Sequence, residues 1–167
     1  AVSALGASVG HRALHLLLEL SDVQLAVTWA GEVRGDDVGV PAAIARANGL
    51  AEVVDHDPHS MARLSVLKDV PAARRVHVEP CGPDDWELAE LHAGLLESAV
   101  LSQVSIAQEG TVMPLRVGQG AVLQVNVQKV EFFNEPQAAP SDQDSGAIGR
   151  RTEDCELIIA PKPRNRK

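Results

Sequence analysis

Apolar and polar residues alternate along several short stretches of this chain, and the longest alternating run covers residues 121–133. Alternation with a period of two is typical of a strand that is buried on one face only. The apolar positions shift from odd to even numbers along this run, which predicts a β-bulge near Gln128 and Lys129. The predicted buried residues of this strand are Leu123, Val125, Val127 and Val130.

Shorter alternating runs predict further strands, because each is bounded by residues that favour turns. Residues 13–20 are mostly apolar, a pattern that fits a short helix and a buried strand equally well. Gly118 and Gly120 predict a hairpin turn before the long strand, and residues 134–147 predict a loop rich in proline and serine. The shorter predicted strands cover residues 22–28, 61–68, 74–79, 105–107, 113–117 and 155–160.

Two parts of the chain carry a helical pattern. Residues 41–48 begin with proline, are rich in alanine and end in asparagine followed by glycine, as short helices often do. Residues 84–104 predict a longer helical region that bends near Gly94 or Ser98. Its predicted buried stripe consists of Leu88, Leu91, Leu95 and Leu96, continued by Val100 and Val104.

Residues 76–106 divide the chain, because they predict a strand, a break rich in proline and glycine, and then the long helical region. We therefore predict an α+β fold, mainly β, and the length of the chain suits one ordinary domain or two small lobes. In a two-lobed arrangement the first lobe covers residues 1–79 and residues 80–83 form the linker. The second lobe then covers residues 84–162, and residues 163–167 are a basic tail.

Composition and charge narrow the possible functions. Aromatic residues make up only 2% of the chain, which argues against an aromatic-lined ligand groove or a stacking platform for nucleic acid bases. Residues 1–149 hold nine basic and twenty acidic residues, whereas residues 150–167 hold six basic and three acidic ones. The main part of the chain should therefore repel nucleic acid, while its basic end either contacts phosphate groups or is a solvated linker.

Two groups of residues have metal-ligand chemistry. One group lies within a single predicted turn. Its aspartate and histidine side chains could bind a metal, but such residues are also common in ordinary surface turns. The other is a histidine pair four residues apart, which would suit a metal only on a helix. These candidates are Asp55, His56, Asp57 and His59 in the turn, and His11 with His15 as the pair. We predict no metal site from either group.

The chain lacks the sequence signatures of catalysis. The glycine-containing segments 31–35 and 117–120 lack the lysine and the following helix of a phosphate-binding loop. No G-x-S-x-G segment is present, and neither cysteine has a histidine partner in its sequence context. Asp84, Asp85 and Glu87 could form an acid–base pair, but an N-terminal capping box of a helix explains them fully. We therefore predict no catalytic and no cofactor-binding residues.

Cysteine usage and hydropathy indicate the cellular setting. Cys81 and Cys155 are the only cysteines and lie far apart, a usage typical of a reduced, cytosolic protein without a disulfide. No run of about 18 apolar residues occurs, so the sequence predicts no membrane-spanning helix.

The dividing segment carries a specific resemblance. It contains V-x-V-E-P at residues 76–80, then D-D-W-E-x-x-E-L-x-A from residue 84, then L-x-Q-V-x-I up to residue 106. With Pro114-Leu115-x-Val117 and the closing L-I-I-A-P-K, these motifs resemble the N-terminal domain of peroxisome biogenesis factor one, a type II AAA ATPase. The resemblance is strong over residues 70–162 and weaker over residues 21–70.

This resemblance implies a two-lobed fold similar to the N domains of valosin-containing protein and N-ethylmaleimide-sensitive factor. The first lobe would be a double-ψ β-barrel, and the second a smaller barrel-like lobe that carries the central helices. It also implies a non-catalytic, cofactor-free domain that receives adaptors or the ubiquitinated import receptor in the cleft between the lobes. The full-length protein would be an ATPase, paired with a second peroxisomal AAA ATPase, cytoplasmic and recruited to the peroxisomal membrane.

Two departures from the family pattern affect these expectations. The family begins with a strand and a Leu-Pro segment that are not found here, so we expect the first barrel to be incomplete or divergent. Arg116 stands where the family has a tryptophan, which puts any partner contact of that aromatic side chain in doubt.

Two alternatives belong to other functional classes. The first is a module that binds anionic lipid, such as a phosphoinositide, through basic side chains near the end of the chain. Its predicted lipid-contacting residues are Arg150, Arg151, Lys162, Arg164, Arg166 and Lys167. The second is a small stand-alone enzyme, which the absence of a nucleophile–base pair argues against.

Overall fold

A computed structural model describes residues 14–29, 39–118, 120–134 and 146–160 of the chain. The chain divides into two compact units, Ala1–Asp69 and Val70–Lys167. The boundary therefore lies before residue 70 and not at the predicted linker, residues 80–83. The reason is that the strand before this linker forms hydrogen bonds with strands that come later in the chain, so it belongs to the second unit.

The described residues of the first unit form a three-stranded antiparallel sheet and two short helices. The strands are β1 (His15–Leu20), β2 (Val23–Thr28) and β3 (Arg63–Val66), in the order β2-β1-β3. Residues 15–20 are thus a strand, the second of the two predicted alternatives. Its alternation is hard to see in the sequence because Leu17, on the less buried face, is also apolar. The buried cluster consists of Leu18, Leu20, Leu25 and Leu50.

The helices of this unit are α1 (Ala42–Ala47) and α2 (Leu50–His56). The predicted end of α1 at Asn48 and Gly49 is confirmed, and Gly49 has a φ of 76°, a left-handed conformation that glycine adopts without strain. Sequence analysis missed α2, which begins directly after this glycine and buries Leu50.

The second unit contains six strands in two sheets. The strands are β4 (Ala73–Pro80), β5 (Ile106–Gln108), β6 (Val112–Val117), β7 (Ala121–Phe132), β8 (Ile148–Arg150) and β9 (Glu156–Ile159). A four-stranded sheet has the order β6-β7-β4-β9, in which only β4 and β9 are parallel. Strands β5 and β8 form a separate antiparallel pair.

The prediction for the long strand is confirmed in detail. Leu123, Val125, Val127 and Val130 are all buried in β7. His77 of β4 is opposite Lys129, whereas Val78 is opposite Val127, so Gln128 is the extra residue of the predicted bulge. Gly118 and Gly120 have φ angles of 61° and 90° in the turn between β6 and β7, as the predicted hairpin requires.

The helical region of the second unit is divided into α3 (Pro83–Leu91) and α4 (Ala93–Gln103). The break is at His92, beside the predicted bend. The predicted buried stripe is partly wrong. Leu96 and Val100 are buried, but Leu91 is 76% and Leu95 52% exposed.

The predicted capping box at the start of α3 is also wrong. Gly82 is the N-cap residue, it forms no side-chain capping hydrogen bond, and Pro83 is the first helical residue. Proline suits this position because its missing N–H would have no helical partner there. Asp84 and Asp85 therefore lie in the first turn, where the helix dipole favours negative charge.

The predicted α+β fold class with more strand than helix is confirmed. The main core is in the second unit, where aliphatic residues of β4, β6 and β7 pack against Leu96 and Val100 of α4. No helix in the described part of the chain is both long and apolar enough to span a bilayer.

Gly149 lies where the core leaves no room for a side chain. A Cβ atom at residue 149 would lie 2.6 Å from Val130 Cγ1 and 2.9 Å from Ala73 Cβ. We expect Gly149→Ala to lower the free energy of unfolding by about 1–3 kcal/mol, because the clash lies inside the core. Urea denaturation measures this change.

The matched control is Gly94→Ala in α4, where a Cβ would meet no atom within 4 Å. We expect this variant to be as stable as the parent chain or more stable by up to about 1 kcal/mol, because alanine favours the helix. Equal effects of the two substitutions would contradict the close packing around Gly149.

Candidate functional site

The face of the four-stranded sheet that points away from the core carries a charged cluster. We define the charged cluster by its members on three adjacent strands, β9, β4 and β7. They are Glu156, Arg75, His77, Lys129 and Glu131.

Arg75 and Glu131 connect this cluster. Arg75 Nε donates a hydrogen bond to Glu156 Oε2 at 2.8 Å, and Arg75 Nη1 lies 3.8 Å from Glu131 Oε2. Lys129 Nζ lies 3.1 Å from Glu131 Oε1. His77 Nε2 is 3.2 Å from the same oxygen but makes no hydrogen bond of good geometry, so this contact is a charge interaction only when His77 is protonated.

The carboxylates of the charged cluster are held in their ionised form by basic neighbours, as in a structural ion-pair network. The hydrogen bond from Lys129 holds the pKa of Glu131 below its usual value, and the hydrogen bond from Arg75 does the same for the pKa of Glu156. A general acid or base that works near neutral pH needs a carboxyl pKa raised towards 7. The cluster therefore links the three strands and is unsuited to proton transfer.

The acidic start of α3 has a different role from the one predicted. Asp85 Oδ1 accepts a hydrogen bond of 2.8 Å from the backbone N–H of Gln124 in β7. Asp85 thus attaches the first turn of the helix to the sheet, whereas Asp84 and Glu87 are exposed. Asp85 is already engaged in this contact, which argues against a catalytic carboxylate pair here.

The family motif at the start of the dividing segment is built into the core. Val76, Val78 and Pro80 are buried, and Glu79 accepts a hydrogen bond from Gln128 Nε2 at 3.2 Å. Trp86 is half-buried. These three motif residues of β4 therefore maintain the fold, whereas Asp84, Glu87 and Leu91 of the helical motif that follows are exposed.

Sequence analysis missed two polar side chains that organise the second unit. Glu109 accepts hydrogen bonds from the backbone N–H groups of Val130, at 2.8 Å, and Ala147, at 3.3 Å. Gln103, the last residue of α4, bonds to both backbone groups of Arg116, each at 2.9 Å. The predicted bulge near Gln128 and Lys129 implies that a backbone N–H close to it needs an acceptor from outside the strand pair. Nothing in the sequence indicates that Glu109 is this acceptor.

The predicted lipid-contacting residues are only partly described. Arg150 is exposed in β8. Arg151 is half-buried, and its Nε donates a hydrogen bond to the carbonyl oxygen of Val104 at 2.6 Å. Arg151 therefore holds the end of α4 in place, which leaves it poorly suited to meet a lipid headgroup. Lys162, Arg164, Arg166 and Lys167 lie outside the described residues.

The structure shows no metal-binding arrangement in the described ranges, where no three His, Cys, Asp or Glu side chains come together. Asp55 and His56 end α2, and Asp57 Oδ1 accepts a hydrogen bond from the His59 backbone N–H at 3.1 Å, as in an ordinary turn. His15 lies on a strand, with Nδ1 3.2 Å from Thr28 Oγ1. Its predicted partner His11 lies outside the described residues.

A small apolar pocket lies between α4 and β9, lined in part by Val104, Leu157, Arg151 and Cys155. Its volume of about 20 Å³ is enough for one water molecule, which needs about 10–15 Å³, and far too small for a metabolite. Burial raises the pKa of the Cys155 thiol, so this thiol is a poor nucleophile. Cys81 and Cys155 do not form a disulfide.

The family match to known proteins lies in the second unit of the chain. The family model "Peroxisome biogenesis factor 1, N-terminal" matches residues 74–161, more than half of the chain. The chain is 31% identical over 103 residues to the protein named Peroxisomal ATPase PEX1 of Dictyostelium discoideum. The match covers 62% of this chain and 7% of that relative.

Two further relatives carry the same name. The one from Homo sapiens is 32% identical over 104 residues, or 62% of this chain and 7% of the relative. The one from Arthrobotrys oligospora is 28% identical over 131 residues, or 78% of this chain and 10% of the relative. The matched part of this chain thus spans a tenth or less of the length of these relatives.

The charged cluster predicts an acid-dependent loss of stability. The pKa of Glu131 is lowered in the folded chain, so the unfolded chain binds protons more readily. The stabilisation is complete above the usual carboxyl pKa of 4.5 and is lost as the pH falls through the lowered value. We expect Glu131→Gln to lower the urea midpoint at neutral pH, with a difference from the parent that disappears in acid.

The matched control is Glu153→Gln, which removes an exposed carboxylate from the turn before β9. We expect it to leave the pH profile of the urea midpoint unchanged. Because the cluster side chains are half-buried or exposed and so remain in contact with solvent, the effect of Glu131→Gln should shrink with added salt. A pH-independent difference would mean that Glu131 acts through packing and not through its charge.

Proposed function

This chain belongs to the family of N-terminal domains of peroxisome biogenesis factor 1, and from that premise we propose that it is a non-catalytic, adaptor-binding domain of a peroxisomal AAA ATPase. The observation that carries the proposal is the family match over residues 74–161, which covers nearly the whole described part of the second unit. The relatives named above are all peroxisomal ATPases. A role in peroxisome biogenesis follows from this family membership.

The non-catalytic part of the proposal is supported by the chemistry of the described side chains. The carboxylates of the charged cluster have lowered pKa values, and the pocket beside Cys155 is too small for a substrate. The 167 residues contain no phosphate-binding loop with a lysine. ATP hydrolysis by the longer protein would therefore depend on other domains.

The proposed fold of the two units follows the family. We propose that the first unit corresponds to a double-ψ β-barrel and the second to the smaller barrel-like lobe. The division into two compact units and the β-rich core of the second unit support this assignment.

The proposed partners are an adaptor or the ubiquitinated import receptor for peroxisomal matrix proteins, and a second peroxisomal AAA ATPase. The proposed location is the cytoplasmic side of the peroxisomal membrane, to which the longer protein would be recruited. The net charge of −8 supports protein partners with basic surfaces and argues against nucleic acid. Lipid binding receives less support, because Arg151 is engaged with Val104.

The test is a capture experiment with purified components. The whole 167-residue chain is immobilised and exposed to the ubiquitinated import receptor and to the second ATPase, and an ATPase assay is run on the chain alone. We expect at least one of the two proteins to be retained, and no ATP hydrolysis by the chain. Failure to retain either protein would refute the proposed adaptor binding, and measurable ATPase activity would refute the proposed non-catalytic role.

The matched control is Val78→Asp, which places a carboxylate where the side chain is 0% exposed. This substitution should unfold the second unit, since an unpaired buried charge is strongly destabilising. We expect it to abolish capture that depends on the folded domain. Retention by the variant would show that capture does not depend on the folded second unit.

A further inference from the structure

We propose that the outer edge of strand β9 is a docking site for an extended segment of a partner protein, which adds to the four-stranded sheet as a fifth strand. The segment carries apolar side chains at alternate positions and a basic residue at one end. Strand addition uses backbone hydrogen bonds for affinity and side-chain pockets for specificity. The proposal deepens the proposed function, on which it rests for the identity of the partner.

The register of β9 determines which backbone groups are available. The Ala160 N–H donates to the Val78 carbonyl oxygen at 2.8 Å, so Ala160 and the residues two and four before it face β4. The backbone groups of Leu157 and Ile159 therefore point away from β4. Within the described ranges, β9 pairs with β4 alone, and no hydrogen bond is made to these outward groups.

The opposite edge of the same sheet is closed. Pro114 of β6 has no N–H to offer, and it stands at a position whose backbone faces outward. Two residues further on, the outward N–H and carbonyl groups of Arg116 are both bonded to the side-chain amide of Gln103. Natural sheets block edges by such means when no partner is intended. The open edge at β9 contrasts with this protected one.

The apolar pocket lies on the buried side of this edge. Leu157 lines it from β9, with Val104, which directly follows α4, and Arg151 on other sides. A residue paired with Leu157 in an added strand would point to the same face of the sheet, because directly paired residues share a face. Its side chain would lie at the pocket, whose volume of about 20 Å³ admits the end of a small apolar side chain such as valine.

Acidic side chains at one end of the β9 edge indicate which charge the docked segment should carry. Glu153 and Asp154 are exposed in the turn that leads into β9, whereas Glu156 is already paired with Arg75. A basic residue at the end of the segment that lies beside this turn would meet these two unpaired acidic side chains. The expected ligand is therefore an extended, apolar and basic protein segment.

The test uses a phage-displayed library of random dodecapeptides, selected against the whole 167-residue chain. We expect the selected peptides to show alternating apolar residues and a basic end. In amide hydrogen exchange, bound peptide should slow the N–H groups of Leu157 and Ile159 and leave that of Ile158, which already faces β4, unchanged. A library that yields no binders, or peptides that protect amides elsewhere, would overturn the proposal.

Ile159→Pro and Ile159→Val form the matched pair of variants. Proline removes the outward N–H at an edge position that tolerates it, whereas valine keeps the N–H and an apolar side chain. We expect the proline variant to bind the selected peptides roughly tenfold more weakly and the valine variant to bind them like the parent. Equal affinity for both variants would refute strand addition at β9. Urea denaturation of both variants checks that they fold.

A second pair of variants leaves the strand untouched. Glu153→Lys with Asp154→Lys should weaken peptides with a basic end at least roughly tenfold at low salt, whereas Asp84→Lys with Glu87→Lys on α3 should not. Dimerisation of the chain through β9, seen by sedimentation, would replace the partner protein by a second copy and overturn the proposal. If peptides bind at β9 but neither captured protein does, the proposed function fails while the docking edge stands.

Discussion

Strand β4 forms hydrogen bonds on both sides, antiparallel to β7 and parallel to β9, and the rest of the second unit depends on this double pairing. Val76 and Val78 place one face of the strand in the core, and Arg75 and His77 place the charged cluster on the other. Parallel neighbours need a long connection, and here it contains both helices and strands β5 to β8. One strand thus fixes where the helices, the pocket and the open edge lie.

This arrangement explains why the first motif residues of the dividing segment are buried. The motif residues Val76, Val78 and Pro80 are buried because they build the central strand, and the break after them allows Pro83 to start α3. A partner cannot reach these side chains in the folded unit. Binding, if it uses this unit, has to use the strand edges, the turns and the exposed helix positions around them.

The sequence predicted the features that depend on neighbouring residues. The alternation of β7 gave its buried face and its bulge at Gln128, and Gly118 with Gly120 gave the hairpin, because both are local backbone properties. The short helix α2 and strand β8 were missed because elements of this length carry little periodicity. The contacts of Glu109 and Gln103 were beyond prediction, since each joins residues brought together only by the fold. Leu91 and Leu95, on either side of the break at His92, fit the predicted helical stripe but are exposed.

The side-chain amide of Gln103 limits how copies of this chain can associate through the four-stranded sheet at high concentration. A sheet with two open edges can join others at both sides without limit, which is the geometry of fibrils. Within the described residues, Gln103 and Pro114 close the β6 side of this sheet, so two copies that met through β9 would leave this sheet no further open edge. Association along this sheet would then stop at a symmetric pair and would not continue into a fibril.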